Sequence, residues 1–302
     1  MRHYLLTLFT ILPLMTLLGQ QVKNDSITQL PGITLTEPAK SQVLGITTSS
    51  VLRESALEQF GPIDFASTLN QTSGVFLLSG ALNTNRITIR GVGARTPFGT
   101  DKLRLYYKNI PVTNGTGVST LEAFDLEDLY AIEIVKGPKA SAYGSALGGA
   151  ILLTPETPSE KALLKNSLSL GSYQLIKDHL SFATTASDFV LRVNANLMRT
   201  DGYRENNDFE RNGFLADATI GINSKHSLSL LLNYIDYTAQ IPSSLNETDF
   251  NEVPTTAAFT WSQARGFEDN QYTLTGLTWE YDISRALTSE QSVFYTYLDH
   301  YE

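Results

Sequence analysis

The sequence predicts an α+β domain followed by the opening strands of an antiparallel transmembrane β-barrel that the chain does not close. Three observations carry this prediction. Residues 46–154 mix short alternating runs with helical spacing and frequent glycine, the pattern of a mixed unit around one core. After Thr154 the chain becomes a series of segments of about ten residues with period-two alternation and almost no helical signal. The links between those segments are alternately tight and long, as in barrels that cross a membrane.

The elements follow in order. Arg2 and His3 precede an apolar run, Tyr4–Leu18, which is interrupted by Pro13 and ended by Gly19. A spanning helix needs about 20 apolar residues without a helix breaker, so residues 1–19 read as a cleaved export signal. Residues 20–45 are polar, lack a helical period and contain Pro31, Gly32 and Pro38, which makes them a flexible arm. Within the arm Ile33, Thr34, Leu35 and Thr36 alternate. Such a segment can add a strand to a partner's sheet edge, and the same alternation is also that of a plain linker.

Residues 46–155 form the α+β domain. Its core strands are Arg86–Arg90, ending at Gly91, Leu103–Tyr107, bounded by Asn109 and Pro111, and Ile132–Val135, ending at Gly137-Pro138. A helix is predicted over Ile63–Gln71, where Pro62 precedes it and Phe65, Ala66 and Leu69 share a face.

Residues 160–302 form the barrel segment, with about seven strands at 163–171, 175–184, 189–199, 212–222, 226–238, 271–282 and 287–300. Phe189, Leu191, Val193, Ala195 and Leu197 point one way and Arg192, Asn194 and Asn196 the other. Phe214, Ala216, Ala218, Ile220 and Ile222 oppose Asp217 and Thr219, and Leu228, Leu230, Leu232 and Tyr234 oppose Ser227, Ser229 and Asn233. Alternation alone would also suit a soluble sandwich. The connections decide: residues 186–188, 223–225 and 284–286 are tight, whereas 200–211 and 239–270 are long and polar. Tyr203, Phe214, Tyr234, Tyr237, Trp279, Tyr281, Tyr295 and Tyr297 lie near strand ends, as interfacial aromatic girdles do.

A net charge of −9 leaves no cationic excess for phosphates, which argues against a nucleic-acid partner. The absence of cysteine excludes disulfides, thiolate metal sites, a cysteine nucleophile and a lipidated N-terminal cysteine. His179, His226 and His300 fall on separate predicted strands without metal-ligand spacing, and no nucleophile stands beside a base and its orienter, so neither an enzyme nor a cofactor is indicated.

Three strings identify a resemblance: Ile87–Arg95 (ITIRGVGAR), Tyr106–Val112 (YYKNIPV) and Ile132–Ile151 (IEIVKGPKASAYGSALGGAI). In this order they resemble the plug of TonB-dependent outer-membrane receptors. Ser55–Val75 resembles the stretch that precedes them, and the likeness runs over roughly residues 34–302. The turn positions are Gly91, Gly137, Pro138, Tyr143, Gly144, Gly148 and Gly149, where positive φ or tight reversal favours glycine. The chain departs from the family pattern at Lys108-Asn109, in place of aspartate-glycine, at Lys136, in place of arginine, and at Ala140, in place of serine. Asn tolerates a left-handed turn, and Lys keeps the charge while losing the guanidinium fork.

The resemblance implies a barrel of about 22 strands around the plug, so the 302 residues would be the front portion of a longer receptor. It further implies an outer-membrane protein, surrounded by lipid, whose plug and arm face the periplasm and whose plug loops meet the ligand. By position those loops are Ser79, Gly80, Ala81, Leu82 and Asn83; Arg95, Thr96, Pro97 and Phe98; and Thr113, Asn114, Gly115 and Thr116. Ile33–Thr36 would contact TonB and its inner-membrane energising complex, and Arg90 and Lys136 would latch the plug to barrel glutamates. The implied function is energised import of a scarce large nutrient, above all a ferric siderophore or other iron chelate. A glycan, peptide or vitamin B12 importer shares the fold, and a passive porin or surface adhesin would share the barrel strands. The arm is too short for the extra sandwich domain of large glycan receptors, and a plug would fill an open pore.

Overall fold

The computed structural model describes residues 48–95, 99–138, 143–144, 146–156 and 162–302. The expected export signal, the arm with Ile33–Thr36, and Thr96, Pro97, Phe98 and Ala140 lie outside the described residues.

The first sheet is assembled from β1 (Ser49–Arg53), β4 (Leu103–Tyr107), β5 (Ile110–Pro111), β6 (Leu129–Lys136) and β7 (Gly149–Pro155) in the order β1-β6-β7-β4-β5. β4 and β7 are parallel and the other pairs antiparallel. Alternation explains its core: Leu103, Leu105 and Tyr107 are buried, as are Ile132, Ile134, Ile151 and Leu153. Tyr107 stacks on Phe124 with ring centroids 4.8 Å apart. β2 (Val75–Ala81) and β3 (Thr84–Ile89) form a separate two-stranded ribbon.

The glycine pair at 148–149 works by close approach as well as by turning. Gly149 has φ 127° and lies so near the Val135 carbonyl that a Cβ would overlap it, and a Cβ on Gly148 would overlap Leu103. Gly91, Gly137 and Gly144 take the positive φ expected of them. Three expectations are corrected. The helix predicted over 63–71 is reduced to Ala66–Leu69, because the Asn70 side chain bonds both the N–H and the carbonyl of Leu77 and draws the chain into β2. β3 ends at Ile89, since Arg90 has φ 51°. In the β4–β5 turn Lys108, at φ 52°, takes the left-handed conformation rather than Asn109, whose side chain instead donates to Ser292 Oγ at 3.0 Å.

The third sheet is a seven-stranded antiparallel meander of β8 (Ala162–Leu170), β9 (Ile176–Thr185), β10 (Phe189–Thr200), β11 (Phe209–Asn223), β12 (His226–Gln240), β13 (Phe267–Ser284) and β14 (Leu287–Tyr301). Number and order are those expected from the alternation. β11 and β13 begin a few residues earlier, where Phe209 and Phe267 extend the pairing with β12. The tight turns 186–188, 224–225 and 285–286 lie at one end, and 171–175, 201–208 and 241–266 at the other. β8 and β14 pair on one side only among the described residues, so this wall is not closed.

The wall inverts the burial of a soluble sheet. On β10 Ala195 and Leu197 are exposed while Arg192, Asn194 and Asn196 are buried, and on β12 Leu230, Leu232 and Tyr234 are exposed while Asn233 is buried. The inner face mixes these polar residues with apolar ones such as Leu231 and Ile235, and an exposed apolar outer face over a filled inner one suits lipid on one side and a plugged lumen on the other. The α+β domain packs on the inner face, where Leu215, Leu231, Tyr272 and Leu274 join its core. Gly276 makes room for a close approach, because a Cβ there would overlap the Ile110 side chain of β5.

Candidate functional site

The ribbon tip is built by local hydrogen bonds. Ser79 Oγ donates to the Ala81 carbonyl at 2.8 Å, the Ala81 N–H donates to Thr84 Oγ1 at 2.7 Å, and Asn83 completes the turn at φ 60°. Ala81 is buried, and Leu82 packs with Leu175 and Ile63 against Met198, Phe209, Ile235 and Tyr237 at the long-loop end of the wall. Gly80 is exposed.

Gly99 links the ribbon to the segment that follows the third loop. Gly99, which follows the second loop, donates its N–H to the Asn85 carbonyl at 3.1 Å, and a Cβ on it would meet Val118 at 2.9 Å. The third loop is shaped by Asn114, whose Oδ1 accepts from the Thr116 N–H, the Thr116 hydroxyl and the Val118 N–H. Thr113 Oγ1 lies 2.9 Å from Ser119 Oγ. Gly115, Thr116 and Arg95 are exposed.

A cavity of about 340 Å³ separates the ribbon tip from the wall loops, with Ser79, Gly80 and Leu82 on one side and Tyr173, Tyr203 and Arg204 on the other. Tyr173 and Tyr203 meet edge to face at 5.6 Å. Arg204 also borders a second cavity of about 560 Å³ with Leu245, Phe250 and Pro254. Its guanidinium ties the loops together by donating to the carbonyls of Thr256 (3.0 Å), Ser243 (2.6 Å) and Pro242 (3.3 Å). Asn206 Nδ2 donates to the carbonyls of Ile241 and Gly266, both at 2.9 Å. In the sequence Tyr203 reads only as a strand-end aromatic, and neither Tyr173 nor Arg204 stands out. Their partners are 30 to 52 residues away, as in the Tyr173–Tyr203 and Arg204–Thr256 pairs, and no local pattern signals such pairs.

A second polar assembly joins the α+β domain to the wall. Leu121–Ala123 and Leu126–Asp128 are 3₁₀ turns, the second capped by Asp125, which accepts from the Glu127 N–H at 2.9 Å. Lys177 Nζ bonds Asp125 Oδ1 at 2.8 Å, Glu127 Oε2 at 3.0 Å and the Pro62 carbonyl at 2.5 Å. Asp128 Oδ1 lies 2.9 Å from His179 Nε2 and accepts from Asn194 Nδ2 at 2.7 Å. Burial raises the Asp125 pKa, but the charges of Lys177 and Arg211 outweigh it and leave the carboxyl below its ordinary range. Glu122 behaves oppositely: burial pushes it up to about 7 against the hydrogen bond from Asn85. Lys108 Nζ reaches Asp217 at 2.6 Å, and Arg192 donates to the Tyr107 hydroxyl at 2.6 Å.

Arg90 and Lys136 are brought together beside Ser73–Gly74. Lys136 Nζ donates to the Ser73 carbonyl at 2.6 Å, Arg90 Cγ would lie 3.6 Å from a Cβ on Gly74, and Arg90 Nη1 3.8 Å from one on Gly137. Burial, and then the charge of Arg90, lowers the Lys136 pKa. Among the described residues neither side chain forms an ion pair with a wall glutamate. Tyr143 packs on Tyr106, whose hydroxyl donates to its carbonyl at 3.2 Å. The histidines stand apart: His179 in this interface, His226 stacked on Tyr281 at 4.4 Å and His300 against Asn270 at 2.6 Å.

The family model of the TonB-dependent Receptor Plug Domain matches residues 41–150. Three solved structures share the fold. The unliganded ferric citrate transporter FecA aligns with a TM-score of 0.70 at 18% identity over 84% of this chain and 40% of its own. The ferric yersiniabactin uptake receptor FyuA from Yersinia pestis gives 0.68 at 15% identity over 84% of this chain and 41% of its own. The copper transporter OprC gives 0.64 at 16% identity over 83% of this chain and 37% of its own. This chain therefore spans about 40% of the length of the receptors it matches.

Proposed function

We propose that this chain, which carries a TonB-dependent receptor plug domain ahead of antiparallel barrel strands of the same fold as those receptors, is part of a transporter that imports a ferric siderophore or other iron complex across the outer membrane with energy delivered by TonB. The observation that carries the reading is the seating of the plug on the inner face of a wall whose outer face exposes a row of apolar side chains. That arrangement suits a gated lumen within lipid. The function is transport rather than catalysis.

The parts divide as follows. Residues 1–19 direct export, 20–45 form the periplasmic arm that offers Ile33–Thr36 to TonB, 46–155 form the plug and 160–302 the first barrel strands. The ligand sits over the ribbon tip and the loops at 95–98 and 113–116, which supply hydroxyls, amides and Arg95 for a polar chelate. Arg90 and Lys136 are the plug's cationic latch for carboxylates of the barrel wall. The solved structures of similar fold include two ferric-complex receptors, which supports the iron reading, and the hydrogen-bonding groups of the three loops suit the periphery of a chelate better than a bare ion.

The test is uptake by the complete receptor, in cells lacking their other iron receptors, of a panel of labelled ferric chelates, a copper complex, vitamin B12 and oligosaccharides. Uptake of a ferric chelate that stops when TonB is deleted is the expected result. TonB-independent uptake, or uptake only of a non-metal nutrient, would overturn it.

A further inference from the structure

We infer that the plug segment Leu121–Asp128 is a fixed anchor on the wall, which stays docked while ligand passes, and that Lys177 is its positioning residue. The inference rests on the transporter reading above and adds where the plug does not move.

Four consecutive wall strands grip these eight residues. β9 contributes Lys177 and His179, β10 Asn194 and β12 Asn233, whose Nδ2 donates to the Ala123 carbonyl at 2.6 Å. Arg211 of β11 stands 3.9 Å from Asp125 Oδ2. The Lys177 side chain is 1% exposed, and its three acceptors come from two separate plug segments, Pro62 and Asp125–Glu127. The anchor itself is stiffened from within, since Asp125 and Asp128 each bond backbone N–H groups of the segment besides their wall partners.

Lifting the segment off the wall would strip Lys177, Asp125, Asp128 and Arg211 of their partners together. Buried ions separated from their partners are strongly disfavoured unless water reaches all of them at once. The ribbon tip meets the wall differently, through apolar packing of Leu82 against the cluster of Met198, Phe209, Ile235 and Tyr237, which can slide without exposing a charge. The Lys108–Asp217 contact is also looser, with the Lys108 side chain 35% exposed. The least costly path for a passing ligand therefore leaves 121–128 in place.

Tyr130, just beyond the anchor, and Ser167 of β8 line one cavity of about 260 Å³, so cysteines placed there are within reach of a short bis-methanethiosulfonate, which joins each thiol as a disulfide with release of methanesulfinate and is cleaved by a reductant. In the complete receptor carrying Tyr130→Cys and Ser167→Cys, bridging is expected to leave energised uptake of the ferric chelate undiminished. Loss of uptake on bridging, restored by cleavage, overturns the anchor. A second arm uses Lys177→Met and Lys177→Arg at equal surface levels. The methionine variant is expected to admit large antibiotics that the wild-type receptor excludes, with the arginine variant restoring most of the seal. Equal exclusion by all three removes Lys177 from the role. Wild-type uptake, measured in parallel, tests the transporter reading separately.

Discussion

Glu122 shows how a single buried group couples the plug to pH. Its carboxyl is pushed up to about 7 by burial, with the nearby charge of Glu268 acting in the same direction. A carboxyl raised in the folded state favours folding while protonated, so its contribution is complete below the ordinary value of 4.5 and is lost as pH rises to about 7. The loss is on the order of 3 kcal/mol. Glu122→Gln is therefore expected to remove most of the decline in receptor stability between pH 5 and 8, as read by urea unfolding; a decline as steep as the wild type's would refute the assignment. Asp125 has the opposite sign, because Lys177 and Arg211 hold it below the ordinary carboxylate range, and its contribution disappears on acidification. Gly276 offers a steric test at the same scale. Gly276→Val drives a side chain into Ile110 and should destabilise the seating of the plug by about 1–3 kcal/mol. Adding Ile110→Ala should recover part of that, and strictly additive destabilisation in calorimetry would place the two residues apart.

At the scale of elements, the wall strands were legible because each carries its own evidence: alternation such as Phe189-to-Leu197 needs no partner to be read, and the turn and loop lengths fix the order. The plug was legible in part. β4 and β6 alternate clearly, whereas β1 and the ribbon strand β2 are short polar-apolar mixtures that acquire strand character only by pairing with β6 and β3. The helix expected over 63–71 stops short because the side chain of Asn70, neutral in a helical pattern, accepts from the Leu77 N–H. The anchor was not legible at all, since Asp128 and His179 are 51 residues apart and each looks like a solvated polar residue in its own segment. The loop tie is similar: Arg204 and Asn206 reach across to residues 241–266. Arg204→Ala removes three hydrogen bonds that hold the two loops as one body. It should raise amide exchange across 241–266 and weaken ligand binding without altering membrane insertion, and unchanged exchange would argue against the tie. In the arm, Leu35→Pro deletes a backbone donor from the segment proposed to pair with TonB. Energised uptake should vanish while ligand binding persists; normal uptake would move the contact elsewhere.

At the scale of the molecule, the account depends on which side of the wall faces what. The plug fills one face with its own core residues and a belt of ion pairs, and Leu197, Phe214, Leu230 and Trp279 project from the other. A soluble sandwich would bury those apolar side chains, whereas a lipid-embedded wall must expose them. The direct measurement is spin-label accessibility in the complete receptor reconstituted in bilayers, with single cysteines at Leu197, Phe214 and Leu230 on the outer face and at Asn196 and Thr278 on the inner. High collision with oxygen dissolved in lipid at the first three positions, together with low collision at the last two, is the predicted result. The reverse pattern, or no alternation between neighbours such as Asn196 and Leu197, would contradict the claim that this wall lies in a membrane around a plug.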